Sequence, residues 1–161
     1  MIATAKLEKL LEALNSYKSS NNFVFEIQHL KELLSPDFVS VYDCILISKK
    51  SVEVLEQSFN KAIEMYGDRT GYEASNTEMR INDYIENENL NIYDILSLTM
   101  LILDCWSAKL KQIDCEAKFC FIISCDSPYV TLRYHKFRET EGTWLLEDIN
   151  QYEGAVGYLI I

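Results

Sequence analysis

Apolar residues recur every three to four positions through the first two thirds of the chain and then switch to alternation. Leu7, Leu10, Leu11, Leu14 and Tyr17 repeat at helical spacing, with Lys6, Glu8, Lys9 and Glu12 on the opposite side. This predicts an amphipathic first helix that ends in the run Ser19 to Asn22. Ile27, Leu30 and Leu33 predict a second, shorter helix closing at Leu34. Ser35-Pro36-Asp37 then has the composition of a helix start: an N-cap, a proline at the first helical position and an early acid. The segment from Phe38 to Ile47 fits two patterns. Its β-branched residues favour a strand, whereas Phe38, Val41, Tyr42 and Ile45 fall on one helical face, and the proline signal tips the expectation to helix.

Val52, Leu55, Phe59, Ala62, Ile63 and Tyr66 predict a further amphipathic helix stopping at Gly67. Gly71 closes a loop, and Ser75-Asn76-Thr77-Glu78 resembles a capping box that opens a helix with Ile81, Tyr84 and Ile85 inward. Ile92 to Ile113 is the most apolar helix. Leu96, Met100 and Leu103 share one face while Leu98, Leu101 and Cys105 lie on others, which predicts a central helix covered on several sides.

The period then becomes two. Lys118 to Cys125 and Tyr129 to Arg138 flank the turn composition Asp126-Ser127-Pro128 and predict a hairpin. Val130, Leu132 and Tyr134 face the core; Thr131, Arg133 and His135 face away. Val156 to Ile161 forms a final strand, apolar on both faces and paired inside the sheet. The expected fold is α+β: an N-terminal layer of four to six helices, then a small antiparallel sheet made of the hairpin 118–138 and the terminal strand 156–161.

Composition supports one domain spanning 1–161. A chain of 161 residues buries roughly 70% of its unfolded surface on folding, enough for a core without staples. Fifteen basic residues against twenty-five acidic ones give a net charge of −10. Such a charge repels phosphate backbones and anionic bilayers, so neither nucleic acid nor membrane is an expected partner, whereas a cationic protein is attracted and steered. The five cysteines are odd in number, and the chain starts without a basic-then-apolar leader. Both features point to free thiols in a reducing cytoplasm.

Candidate chemistry is sparse. Cys115, Cys120 and Cys125 stand five apart, outside the usual spacing of paired metal ligands, and Cys120 and Cys125 point to opposite faces of a strand. His29 and His135 are the only histidines; His135 shares a hairpin with two cysteines, but no nucleophile-turn motif surrounds them. Phosphate-binding glycine motifs are absent. No catalytic residue, metal or cofactor is expected, although an enzyme whose carboxylates act only in a folded cleft stays open as an alternative.

Charge placement is more informative. Between Glu73 and Asp94 there are six acids (Glu73, Glu78, Asp83, Glu86, Glu88 and Asp94) and the single base Arg80. Between Glu139 and Glu153 there are five acids and no base. Tyr72, Tyr84 and Tyr93 accompany the first set, Trp144 and Tyr152 the second. Aromatic anchors within a charged rim are how protein interfaces gain affinity and specificity. The expected partner-binding residues are Asp83, Glu86, Glu88, Trp144, Glu147, Asp148, Tyr152 and Glu153.

In size, acidity and the scatter of aromatics among acids, the chain resembles the cytosolic immunity proteins of bacterial contact-dependent and polymorphic toxin systems. The stretch Tyr129-Val-Thr-Leu-Arg-Tyr-His-Lys-Phe-Arg138, followed by Gly142-Thr-Trp-Leu-Leu-Glu-Asp148, has the look of bacterial domains in that setting. The resemblance implies a non-catalytic inhibitor, monomeric or weakly dimeric, that blocks a basic toxin such as a nuclease. A cytosolic adaptor that uses an exposed sheet edge is the other open class.

Overall fold

The computed structural model describes residues 1–18, 26–48, 56–86 and 90–161. Its order is β1 (Ile2–Ala3), α1 (Ala5–Ser16), α2 (Ile27–Leu34), β2 (Phe38–Val41), β3 (Cys44–Ile47), α3 (Glu56–Tyr66), α4 (Arg69–Asn76), β4 (Met79–Arg80), a 3-10 turn (Ile81–Tyr84), α5 (Ile92–Ile113), β5 (Phe119–Asp126), β6 (Tyr129–Lys136), a second 3-10 turn (Ile149–Gln151) and β7 (Ala155–Ile160). Five strands form an antiparallel sheet in the order β1-β7-β5-β6-β4, and β2 and β3 form a separate hairpin. The fold is α+β.

α5 is the central helix. It opens on a capping box in which the Asn91 side chain accepts the N–H groups of Tyr93 and Asp94, while the Asp94 carboxylate accepts the Asn91 N–H. Its buried side Ile95, Leu98, Ile102, Trp106 and Leu110 meets the inner face of the sheet, where Phe119, Phe121 and Ile123 of β5 and Val130, Leu132 and Tyr134 of β6 are also buried. Each such side chain contributes about 1.5–3 kcal/mol on leaving water. α1 reaches this core because position 157 is glycine. A Cβ there would stand 2.6 Å from Leu7 Cδ2 and 2.9 Å from the Ala3 Cβ.

Four local expectations are corrected. The segment 38–47 is a hairpin, not a helix: Val41 pairs with Cys44 across a two-residue turn, and Tyr42 and Asp43 adopt φ values of 47° and 69°. Positive φ at both central residues is what a tight hairpin of the I′ type requires, and β-branched Val39 and Val41 suit the strand. Pro36 therefore ends a helix approach and does not start one. The chain runs helically through Gly71 in α4, and the Ser75–Glu78 stretch ends that helix. Met79 and Arg80 then join the sheet edge, leaving only a single 3-10 turn over Ile81–Tyr84. The sheet also draws β1 from the N-terminus, so helices and strands are not fully segregated along the chain. The predicted positions Ser19 to Asn22, Val52 and Leu55 lie outside the described residues.

Candidate functional site

Two edges flank the main sheet, and both are short. β1 and β4 are two residues long, and beyond β4 the exposed side of β6 is closed by side chains. Thr77 Oγ1 both accepts the Tyr134 N–H at 3.1 Å and donates to the Tyr134 carbonyl. The next outward group, the Lys136 N–H, goes to Glu73 Oε2 at 3.0 Å. Two side chains thus complete a ladder that backbone would otherwise fill, removing the edge as a pairing template.

Glu73 does more than this. It is fully buried, and its Oε1 accepts the Ile45 N–H of β3 at 2.6 Å while Oε2 accepts Arg138 Nη1 at 2.7 Å. The carboxylate therefore joins three elements: α4, the β2–β3 hairpin and the end of β6. Burial pushes its pKa above the ordinary carboxylate range, and Arg138 and the two backbone donors hold it back. Arg138 also donates to the Asp43 carbonyl at 2.7 Å, and Lys136 bridges Asp43 (2.8 Å) and Asp114 (3.1 Å). The left-handed residues Tyr42 and Asp43, a strain of about 1–3 kcal/mol each, are held by these cations and by Arg69 on the Tyr42 carbonyl. Sequence charge counting missed this: Glu73 and Asp94 are buried structural acids rather than surface ones.

The connection from β6 to β7 crosses the outer face of the sheet. His135, expected on an exposed face, points outward as its register demands but is fully buried, because this connection covers it. Its ring nitrogens face the carbonyl oxygens of Lys136 at 3.0 Å and Thr143 at 3.2 Å. Burial holds its pKa below the usual imidazole value, against the two carbonyls that favour the charged form. Glu141 accepts the Thr70 N–H at 2.8 Å and pins the same connection to the start of α4.

Trp144 follows at φ 62° and is 40% exposed. The Arg133 guanidinium lies 4.8 Å from its ring centroid and is itself paired with Glu78 at 2.7 Å. Gly71 leaves room for the indole: a Cβ at 71 would stand 3.3 Å from Trp144 Nε1 and 2.5 Å from the Tyr66 carbonyl oxygen. Leu146 is half exposed, and its N–H donates to the Tyr152 hydroxyl at 3.1 Å, closing residues 146–152 into a compact turn. Glu147 and Asp148 project from that turn, and Asp148 caps the 3-10 helix through the Asn150 N–H. Five predicted residues, Trp144, Glu147, Asp148, Tyr152 and Glu153, thus belong to one connection.

Asp83 and Glu86 stand apart from it. Both are exposed; Asp83 lies 3.6 Å from Arg80, and neighbouring Asn82 bonds Pro128 and Val130 at the β5–β6 turn. Glu153 reaches the same end of the sheet from the β7 side, where Ala155 pairs with Cys125. Three strand spacings, roughly 14 Å, separate β7 from β4, so the acids form two neighbouring patches rather than one. Glu88 lies outside the described residues. Among the described residues no ion pair meets Glu86, Glu139, Glu147 or Glu153. Tyr72 is buried, whereas Tyr42 and Tyr66 are exposed aromatics that the charge pattern gave no reason to select.

Cys44, Cys120 and Cys125 are buried free thiols, and burial pushes their pKa values up to about 12, 12 and 11. They behave as small apolar side chains, whereas Cys115, which shares their five-residue spacing with Cys120 and Cys125, is exposed. No helix among the described residues is long and apolar enough to cross a membrane.

No solved structure matches this chain. Its sequence is 27% identical over 147 residues to a Pasteurella multocida (strain Pm70) protein described as "Uncharacterized protein PM0498", covering 86% of this chain and 88% of that protein. Residues 5–160 match the family built on the same description. The chain belongs to the Uncharacterized protein PM0498 family.

Proposed function

We propose that this protein is a non-catalytic inhibitor, of the immunity type, that binds a basic protein toxin in the cytoplasm through the connection 139–153. The observation that carries the reading is Trp144. A bulky residue in the left-handed region is strained, and its surroundings hold it there, exposed, with Arg133 against its ring and Gly71 clearing its edge. Leu146 beside it adds apolar surface, and Glu147 and Asp148 supply an acidic rim. Strain kept at an exposed ring suits an anchor for a partner, and interface hot spots favour such rings at their centre.

The remaining acids act at longer range. Net charge −10 raises the encounter rate with a cationic domain, and Glu86, Glu147 and Glu153, which no ion pair meets among the described residues, direct it. A toxin nuclease exposes a cationic cleft for phosphate, and occupation of that cleft by the acidic connection blocks it without chemistry.

The test is association kinetics with a basic toxin domain, sought first in the adjacent reading frame. Reversal of Glu147 and Asp148 to Lys slows association and flattens its salt dependence. Unchanged kinetics removes the connection from the interface.

A further inference from the structure

Among the described residues the outer edge of β2 pairs with no strand, and the register of the β2–β3 hairpin shows which groups face outward. Val41 and Cys44 close the two-residue turn as a bonded pair, so Val39 and Leu46 bond next, while Ser40 and Ile45 form a non-bonded pair. The outward groups of Ile45 confirm this phase: its N–H goes to Glu73 and its carbonyl accepts the Tyr134 hydroxyl at 2.9 Å. By the same phase, the N–H and C=O of Phe38 and Ser40 point away from β3. No hydrogen bond meets them among the described residues, and Ser40 is exposed.

Among the described residues the other strand edges are shortened or closed, by two-residue strands, by Thr77 and Glu73, or by Tyr134. β2, at four residues, is twice as long as β1 or β4. Phe38-Val39-Ser40-Val41-Tyr42 carries no charge, no proline and no bulge. We propose that the outer edge of β2 is a strand-addition site for an extended segment of a cationic protein.

Main-chain groups of the added strand pair with Phe38 and Ser40. Its side chains alternate: one set lies alongside Val39 and Val41, which pack with Phe59, Ala62 and Ile63 of α3, and the other alongside Phe38 and Ser40. The chain's charge selects the occupant. At −10, a second copy is repelled and a basic segment is drawn in. This inference does not depend on the role given to Trp144.

The probe is an octapeptide of alternating valine and lysine, with a valine–glutamate peptide as its counterpart, added to the full chain and read by amide hydrogen exchange. The amides of Phe38 and Ser40 exchange fast in the free chain and become protected at least tenfold with the basic peptide, but not with the acidic one. Ser40→Pro, which removes the outward donor, abolishes the protection at Phe38. If that variant does not fold, Ser40→Lys keeps the backbone donor, weakens the basic peptide at least threefold and improves binding of the acidic one. Unchanged exchange with either peptide overturns the proposal. So does protection that grows with protein concentration alone, which marks self-pairing, and so does protection lost in Trp144→Ala, which places the peptide on the 139–153 connection.

Discussion

The Glu73 carboxylate and the Arg138 guanidinium meet at 2.7 Å, and through them α4, the β2–β3 hairpin and the end of β6 become one unit. Glu73 is fully buried and the Arg138 side chain 12% exposed. Removing one partner strands the other in low dielectric. Glu73→Ala should therefore destabilise the protein by about 3–5 kcal/mol, measured by urea unfolding. Adding Arg138→Met to that variant should recover part of the loss, because the stranded charge is then gone. A cost below 1 kcal/mol would deny the pair its joining role.

Gly71 sets the place of Trp144. The Cβ of Gly71→Ala would fall 2.5 Å from the Tyr66 carbonyl oxygen, a backbone atom that cannot swing aside, and 3.3 Å from the indole nitrogen. The expected cost is about 1–3 kcal/mol, with a change in the emission of the exposed Trp144. Trp106, the other tryptophan, is buried and bonded to the Leu33 carbonyl, and its contribution should stay constant. Unaltered stability and emission would show that the contact is slack.

His135 makes stability depend on pH. Its folded pKa lies below the ordinary value because burial disfavours the imidazolium. The unfolded chain takes up a proton near pH 6.5, roughly, before the folded chain does. The histidine's contribution is therefore complete above that pH and is lost as pH falls towards its folded value. His135→Gln should flatten this part of the stability profile, followed as the urea midpoint between neutral and mildly acid pH. Asp43 and Asp114 act in a lower window. Hydrogen bonds from Lys136 hold both below the usual carboxylate range, and their contribution is lost only as pH falls through those lowered values.

Much of the fold was legible in local pattern. The span Ile92–Ile113, the β5–β6 hairpin with its Asp126-Ser127-Pro128 turn, and an internally paired β7 follow from periodicity and turn residues. The hairpin 38–47 was not, because Ser35-Pro36-Asp37 carries a helix-start signal and the deciding fact is remote. Tyr42 and Asp43 hold positive φ with Arg138, Lys136 and Arg69 bonded to them from distant parts of the sequence. The candidate site divides the same way. Composition alone marks Trp144, Glu147 and Asp148 as candidates, and all three are exposed on one connection. Glu73, Asp94 and His135 were misplaced because their burial comes from partners or covering segments distant in sequence.

Growth protection tests the functional account most directly. On the proposed reading, cells that produce a basic toxin domain from an adjacent reading frame should survive when this protein is co-produced, and Trp144→Ala, at wild-type level and stability, should lose at least tenfold in protection. Full protection by that variant, or no protection by the wild-type chain, would contradict a binding surface built around an exposed, left-handed tryptophan.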